Sequence, residues 1–259
     1  MTECVVREEL GELLSPSQVN TYLTCPAKWC FRYLVGLTEP TTGALALGKA
    51  FHAALATNFR RKLTSGRDMH EAEAREVFDV EWILASDEAE LRDDEDAGEL
   101  ATTGEALVAA YLREAACSIA PLGVEQPVEG RIAGVKVRGV VDVLDANGRV
   151  VDFKTASKRP NGIPAEHGLQ LTTYAMITPG ASGSCRLDTV TKTKTVQVIQ
   201  QAYEVGDEDR RFAEKLYPMV QDSIRDGLYP PHRGSSLCSR RYCGYWRECE
   251  REFGGRVPE

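Results

Sequence analysis

The stretch 138-RGVVDVLDANGRVVDFKT-155 holds two valine-rich runs separated by Ala146-Asn147-Gly148, with Asp142 in the first run and Asp152 and Lys154 in the second. β-Branched residues fit a pleated surface, and Asn-Gly between two such runs is a strong short-range hairpin signal. Loop length then decides what the hairpin can do, because side chains alternate across a strand. A two-residue Asn147-Gly148 turn pairs 142 with 153 and sends the two carboxylates to opposite faces. A three-residue loop pairs 145 with 149 and 142 with 152, with Gly148 in the left-handed position and Lys154 on the same face.

Two carboxylates directly opposite one another, at about 5 Å between Cβ atoms, repel unless a cation lies between them or one of them takes a proton. Carboxylate oxygens suit Mg²⁺ or Mn²⁺. A lysine beside such an ion can orient or deprotonate an attacking water and offset charge on a phosphate in its transition state. As an isolated pattern, D-x9-D-x-K also describes a solvated hairpin with a cross-strand ion pair. The valines on both faces of "GVVDVLD" and "VVDF" favour strands buried on both sides, where bare carboxylates are costly.

Upstream the pattern is helical. "SPSQVNTYLTCPAKWCFRYL" starts with Ser15 as N-cap, Pro16 at the first helical position and Gln18 completing a capping box, and the Cys25-Pro26 step breaks the helix before it resumes to Leu34. Segments 43–63, 71–85 and 98–116 carry apolar residues at helical spacing. Downstream, a loop at 157–164, a helix over 165–177, strands near 186–192 and 195–204, and a helix over 207–225 are expected. The fold class is thus α/β, divided into an N-terminal helical region (1–120), a core (121–228) and a Cys-rich tail (229–259).

Taken jointly and in this order, the chain resembles the RecB-like, AddB-like branch of the PD-(D/E)XK nuclease superfamily, which includes CRISPR-associated and phage exonucleases. The resemblance implies a restriction-endonuclease-like core with a central mixed sheet flanked by helices. It matches Asp142 to the first metal-binding acid and Asp152 and Lys154 to the D-x-K pair. His52 in "LGKAFHAAL" matches a helix histidine added as a metal ligand, and Gln170 and Tyr174 in "LQLTTYAM" match a Q-x-x-x-Y element. It implies Mg²⁺ or Mn²⁺ held by His52, Asp142, Asp152 and the Phe153 carbonyl, with Lys154 positioning water and Gln170 and Tyr174 holding Lys154 or the scissile strand. A further acid from the helical half, Glu76 or Glu81, is a candidate ligand. Without the resemblance, His52 reads as a packed core histidine and Gln170 and Tyr174 as ordinary residues of an amphipathic helix.

Of eight cysteines, three crowd into "LCSRRYCGYWRECE" as Cys238, Cys243 and Cys249. In a reducing compartment such clusters bind metal more often than they form disulfides. The resemblance implies a [4Fe–4S] cluster held by Cys25 and these three. The tail spacing C-x4-C-x5-C departs from the family's usual C-x2-C-x5-C, so Cys30 remains a substitute ligand, tetrahedral zinc an alternative and unligated structural cysteines a third option.

The net charge of −8 does not exclude a nucleic-acid partner, because the run 87–99 alone contributes −7. That run reads as a solvated helix end or loop, with partner binding or DNA mimicry as the other reading. Candidate phosphate contacts are the "KTASKR" segment, Lys192, Lys194, Arg210, Arg211, Arg240 and Arg241; Tyr22, Trp29 and Phe31 are candidates for base stacking or for helix core. The start, "MTECVVREEL", has no basic region followed by an apolar run, no long apolar stretch follows, and a cytoplasmic protein is expected. No G-x-x-x-x-G-K-[ST] segment occurs. The function expected from the resemblance is a metal-dependent exonuclease acting on DNA ends or single strands in phage or bacterial recombination or repair, with an annealing protein as a possible partner. The alternatives are a CRISPR spacer-processing nuclease and a catalytically silent iron–sulfur subunit that binds DNA.

Overall fold

The computed structural model describes residues 12–92 and 94–259; Cys4 and Asp93 lie outside them. In chain order they form β1 (Leu13–Leu14), α1 (Pro16–Thr24), α2 (Pro26–Trp29), a π-turn at Cys30–Leu34, β2 (Thr41–Thr42), α3 (Gly43–Ser65), α4 (Glu71–Asp87), β3 (Ala89–Glu90) and α5 (Ala97–Glu114). There follow β4 (Pro121–Ile132), β5 (Val135–Asp145), β6 (Val150–Ala156), α6 (Ala165–Ile177), β7 (Ser184–Thr191), β8 (Val198–Glu204), α7 (Asp207–Arg225) and α8 (Trp246–Phe253). The long helices and strands expected from periodicity are all present. Each two-residue strand is too short to carry a period.

The chain folds as two units, each assembled from separated segments. One comprises the described residues up to Pro40, Glu129–Gly139 and Glu208–Glu259; the other comprises Thr41–Val128 and Val140–Asp207.

The second unit has a mixed sheet in the order β5-β6-β7-β8, antiparallel at β5/β6 and β7/β8 and parallel at β6/β7, and β4 pairs with β5. Val143, Val151, Phe153 and Val190 from the sheet pack into one core with α3, α4 and α5. Phe153 is its pivot, stacked on Phe59 at 5.7 Å and edge-on to Tyr111 at 5.2 Å. Tyr111 also donates a hydrogen bond to buried Asp188 at 2.6 Å, and Arg186 pairs with the same carboxylate, so α5 is held by a polar clasp inside an apolar layer. α6 packs on β6 and β7. The helices start and stop as side-chain chemistry demands: Thr42 accepts from Leu45 N at 3.3 Å to cap α3, Asp96 accepts from Glu99 N at 2.8 Å to cap α5, and Gly66 ends α3 at φ +71°. The acidic run therefore serves as a helix end, a loop and an N-cap.

In the first unit, Ser15 caps α1 by accepting from Gln18 N at 3.2 Å. The reciprocal half of the capping box is not made: the Gln18 amide donates to the Leu13 carbonyl instead, tying α1 to β1. The Cys25-Pro26 break is present, but the chain resumes as one turn of α-helix and then a π-turn rather than a continuous α-helix. Tyr22, Trp29 and Phe31 are buried, with Trp29 stacked on Tyr229 at 5.8 Å. Their rings are core, and base stacking is ruled out for them.

Candidate active site

The β5/β6 register pairs Val143 with Val151 and Leu144 with Val150, so Asp142 faces Asp152. The connection is the three-residue loop: Asp145 N donates to Arg149 O, and Gly148 sits at φ +75°. Asp145 ties the loop down by accepting from Asn147 N at 2.8 Å and Arg149 N at 3.1 Å. Local turn chemistry thus puts both carboxylates and Lys154 on one face.

Asp142 accepts a hydrogen bond from Phe153 N at 2.8 Å, and the same oxygen lies 3.4 Å from His52 Nδ1 on α3. Asp152 is 1% exposed; Lys154 Nζ pairs with one of its carboxylate oxygens at 2.6 Å, and the other oxygen has no hydrogen-bond partner. A buried carboxylate oxygen without a donor is costly, and a cation between Asp152 and Asp142 would satisfy it.

Glu125 on β4 completes the site. Ligand atoms of His52, Glu125 and Asp142 lie within 4.8 Å of one another, the one such group among the described residues. Neither Glu76 nor Glu81 belongs to it. The sequence placed the further acid in the helical half, whereas the structure brings one from a strand, where Glu125 adopts φ +47°. A left-handed non-glycine residue inside a strand redirects its side chain, and no residue pattern announces it.

The electrostatics follow from burial and mutual proximity. Burial pushes the Asp152 carboxyl up to about 6, with Lys154 pulling it down and Asp142 pushing it further up. Burial acts the same way on Asp142, but the neighbouring His52, Lys154 and the Phe153 N–H outweigh it and hold that carboxyl below its usual range. Burial works against charged Lys154, yet Asp152 and Asp142 leave its pKa raised. Burial and then Asp142 push Glu125 up. Five ionisable groups, three of them carboxyls, crowd one patch.

On α6, the Gln170 amide donates to Tyr174 Oη at 3.2 Å, as expected for residues four apart on one helix face. Burial raises the phenol pKa, and its proton also feels the charges of Asp152, Asp142 and Lys154. All these groups belong to the second unit. Of them, His52, Glu125, Asp142 and Lys154 line a cleft of about 820 Å³, with Thr155 and Leu45, the small residues Ala44, Gly48, Ala53 and Ala56, and Lys49, Arg60 and Lys192.

The four tail-site cysteines belong to the first unit. Cys25, Cys238 and Cys243 pack on a small core that contains Phe31, Tyr245, Cys249 and Val257, and Cys30 does not join it. His232 N donates to Cys25 Sγ at 3.4 Å and Arg233 donates to Cys249 Sγ at 3.5 Å. Burial raises the Cys243 and Cys249 thiols, which also feel Cys25. Of the remaining basic candidates, Arg211 is paired with Glu208, and Arg240 with Glu250 and Glu259.

No helix among the described residues is long and apolar enough to cross a membrane. Nothing among the curated proteins matches the sequence. The fold is similar to the crystal structure of a protein from Eubacterium rectale provisionally named an exonuclease, with TM-score 0.60 and 13% identity over 88% of this chain and 87% of that one. Protein SSO0001 aligns over 97% of this chain and 98% of its own at 14% identity, but its TM-score of 0.38 carries no argument. Residues 13–250 match the family model for the PD-(D/E)XK nuclease superfamily, a span that contains the hairpin, the helix histidine and the Q-x-x-x-Y pair, and the chain belongs to that superfamily.

Proposed function

We propose that the protein is a metal-dependent deoxyribonuclease that works as an exonuclease on DNA ends or single strands. The observation that carries this reading is the convergence of His52, Glu125 and Asp142 beside buried Asp152, which pairs with Lys154 through one oxygen and leaves the other without a partner. His52, Asp142, Asp152 and the Phe153 carbonyl would hold Mg²⁺ or Mn²⁺, with Glu125 as a further carboxylate. Bound there, the ion would supply positive charge that polarises the phosphate and acidifies water. Lys154, held protonated by the two aspartates, orients the attacking water and offsets charge on the phosphate oxygens. Asp142 is fixed by the Phe153 N–H, so its orientation is set before substrate arrives. Gln170 and Tyr174 form a pair whose phenol, within electrostatic reach of Lys154, steadies that lysine or the scissile strand.

We further infer that Cys25, Cys238, Cys243 and Cys249 hold a [4Fe–4S] cluster. What supports this set is that Cys25, Cys238 and Cys243 pack on the small core that holds Cys249, which Cys30 does not join, and that the chain has no C-x2-C zinc knuckle. Such a nuclease fits recombination or repair in a bacterium or phage, where a single-strand annealing protein would be its partner.

The test is cleavage of end-labelled linear single- and double-stranded DNA, with a closed circle beside them, by anaerobically purified protein in Mn²⁺. Digestion of linear DNA but not the circle, reduced at least about 10³-fold in Lys154→Ala, is expected. Absence of metal-dependent cleavage would leave a silent DNA-binding subunit instead.

A further inference from the structure

We propose that the cleft takes single-stranded DNA by its sugar–phosphate backbone alone, with the bases turned away, along a rail formed by Lys49, Arg60 and Lys192. This rests on the nuclease reading above and names the substrate of that cleft.

The rail is visible first as a contrast within α3. Arg61 is paired with Glu73, and Lys62 lies 2.8 Å from Asp68. Their neighbours Lys49 and Arg60, which line the cleft, have no carboxylate within ion-pair distance among the described residues, and neither has Lys192. Arg60 feels Glu125 and Lys192 feels Glu95, but neither is held in an ion pair, so the cations inside the cleft are left available to an anion as Arg61 and Lys62 are not.

Spacing supports the same reading. Lys49, His52, Ala53, Ala56 and Arg60 recur at three- and four-residue intervals, so they form one stripe of α3. Eleven residues at about 1.5 Å each separate Lys49 from Arg60 by about 16 Å along the axis, with the ligand His52 between them. The two cations flank the reaction centre along the helix. Between and before them Ala44, Gly48, Ala53 and Ala56 leave the flank low enough for a polymer to lie along it, with Leu45 as the one large apolar side chain in the lining. Lys192, in the same lining, follows the end of β7; burial pulls its pKa down against the pull of Glu95, and a phosphate beside it would add to what Glu95 offsets.

Two features favour a single strand. Asp142 is 9% exposed and Asp152 1%, so a phosphate must come down to them, which a lone flexible strand does without a second strand beside it. The lining contains no aromatic side chain except His52, which is engaged with Asp142. Bases therefore have no ring to stack on, unlike strand-binding grooves that grip bases through aromatic platforms. Recognition is left to phosphates.

The experiment measures the affinity of the full-length protein, in Ca²⁺, for fluorescein-labelled dT12, an abasic 12-mer and a blunt 12-base-pair duplex across a salt series. We expect the abasic strand to bind within about 3-fold of dT12 and the duplex more than about 3-fold more weakly. Counterion release gives a slope of about −0.7 per phosphate contact on a single strand. Each of Lys49→Ala, Arg60→Ala and Lys192→Ala should therefore flatten the plot of log affinity against log salt by about 0.7, and Lys49→Arg should restore it. An abasic strand bound more than about 3-fold more weakly, a duplex bound as tightly as dT12, or unchanged slopes would each overturn the rail. Cleavage in Mn²⁺ is scored separately. Cleavage with unchanged slopes sinks the rail and keeps the nuclease; flattened slopes without cleavage keep the rail and sink the nuclease.

Discussion

The two candidate sites are held in place by different means. In the second unit the ionisable groups sit on paired strands, fixed by the Asp145 loop bonds and by the Phe153 N–H on Asp142, and backed by a core that runs from α3 to β7. In the first unit the segment after Tyr229 has only α8 as regular structure and a small apolar cluster around Phe31 and Tyr245. Its order depends on side-chain ties: Glu39 accepts from Lys28 at 2.9 Å and Gly244 N at 3.0 Å, and Tyr245 donates to Leu37 O at 2.9 Å. Where a site is built into a core, the protein stabilises the site. Where the core is small, a bound group that crosslinks the chain must help stabilise the protein.

The largest expected effect follows from that second case. If the proposed cluster clips Cys25 to the tail, its loss would remove a closure of more than 200 residues, worth about 5 kcal/mol by the loop-entropy estimate for crosslinks. Cys249→Ser, or iron removal by a chelator, should open residues 229–259 to trypsin and lower Tm, while amide exchange in β5, β6 and β7 stays slow. Equal deprotection of the hairpin would break the contrast between the two units.

The next effect tests the first case. The Asp152 carboxyl has a folded-state pKa of about 6 against 3.8 for the free group, so the folded protein holds that proton more tightly than the unfolded chain. Its contribution is fully present below about pH 4 and is lost as pH rises through 6, on the order of 3 kcal/mol at pH 8. Asp142, held below its usual range, works with the opposite sign and is lost only as pH falls through its folded value. In EDTA, Asp152→Asn should therefore raise Tm at pH 8 and leave it nearly unchanged at pH 4. Mg²⁺ should raise the Tm of the wild type at pH 8 far more than that of the variant. A variant destabilised at pH 8 would mean that Asp152 is a net structural support, paired with Lys154, rather than a ligand awaiting its ion.

The same contrast explains what was legible in the sequence. The hairpin and the helices of both units are readable because their signals are local, a turn residue, a two-residue alternation, a four-residue spacing, whereas His52, Gln170 and Tyr174 stand out only through the family resemblance. Glu125 was not, since it shares "VEQPVE" with Glu129 and only an unusual φ separates the two. Lys49 and Arg60 were hidden for a different reason. A free cation and a paired one look alike in sequence, and only the positions of Glu73 and Asp68 tell Arg61 and Lys62 from their neighbour. Nor could local spacing reveal that Glu129–Gly139 belongs with both termini rather than with the strands on either side of it. Tyr22, Trp29 and Phe31 show the limit from the other direction, since aromatic residues near basic ones suit base stacking until burial is known.

The smallest effect acts on the turn that makes the second site possible. At Gly148 the backbone has φ +75°, and an added Cβ would stand 2.6 Å from Gly180 O and 3.2 Å from Ser182 N. Both neighbours are backbone, and Ser182 N already donates to Gly148 O at 2.8 Å, so neither can yield cheaply. Gly148→Ala should cost about 2 kcal/mol, from the left-handed penalty and the displaced contact together. The loss in activity should exceed what the lost stability predicts at a temperature where the variant is fully folded, because a shifted loop changes the register that sets Asp142 against Asp152. Double mutation with Asp152→Asn separates the two consequences. The stability cost should persist in the double variant, while the effect on cleavage should vanish, since no carboxylate pair remains to be misaligned.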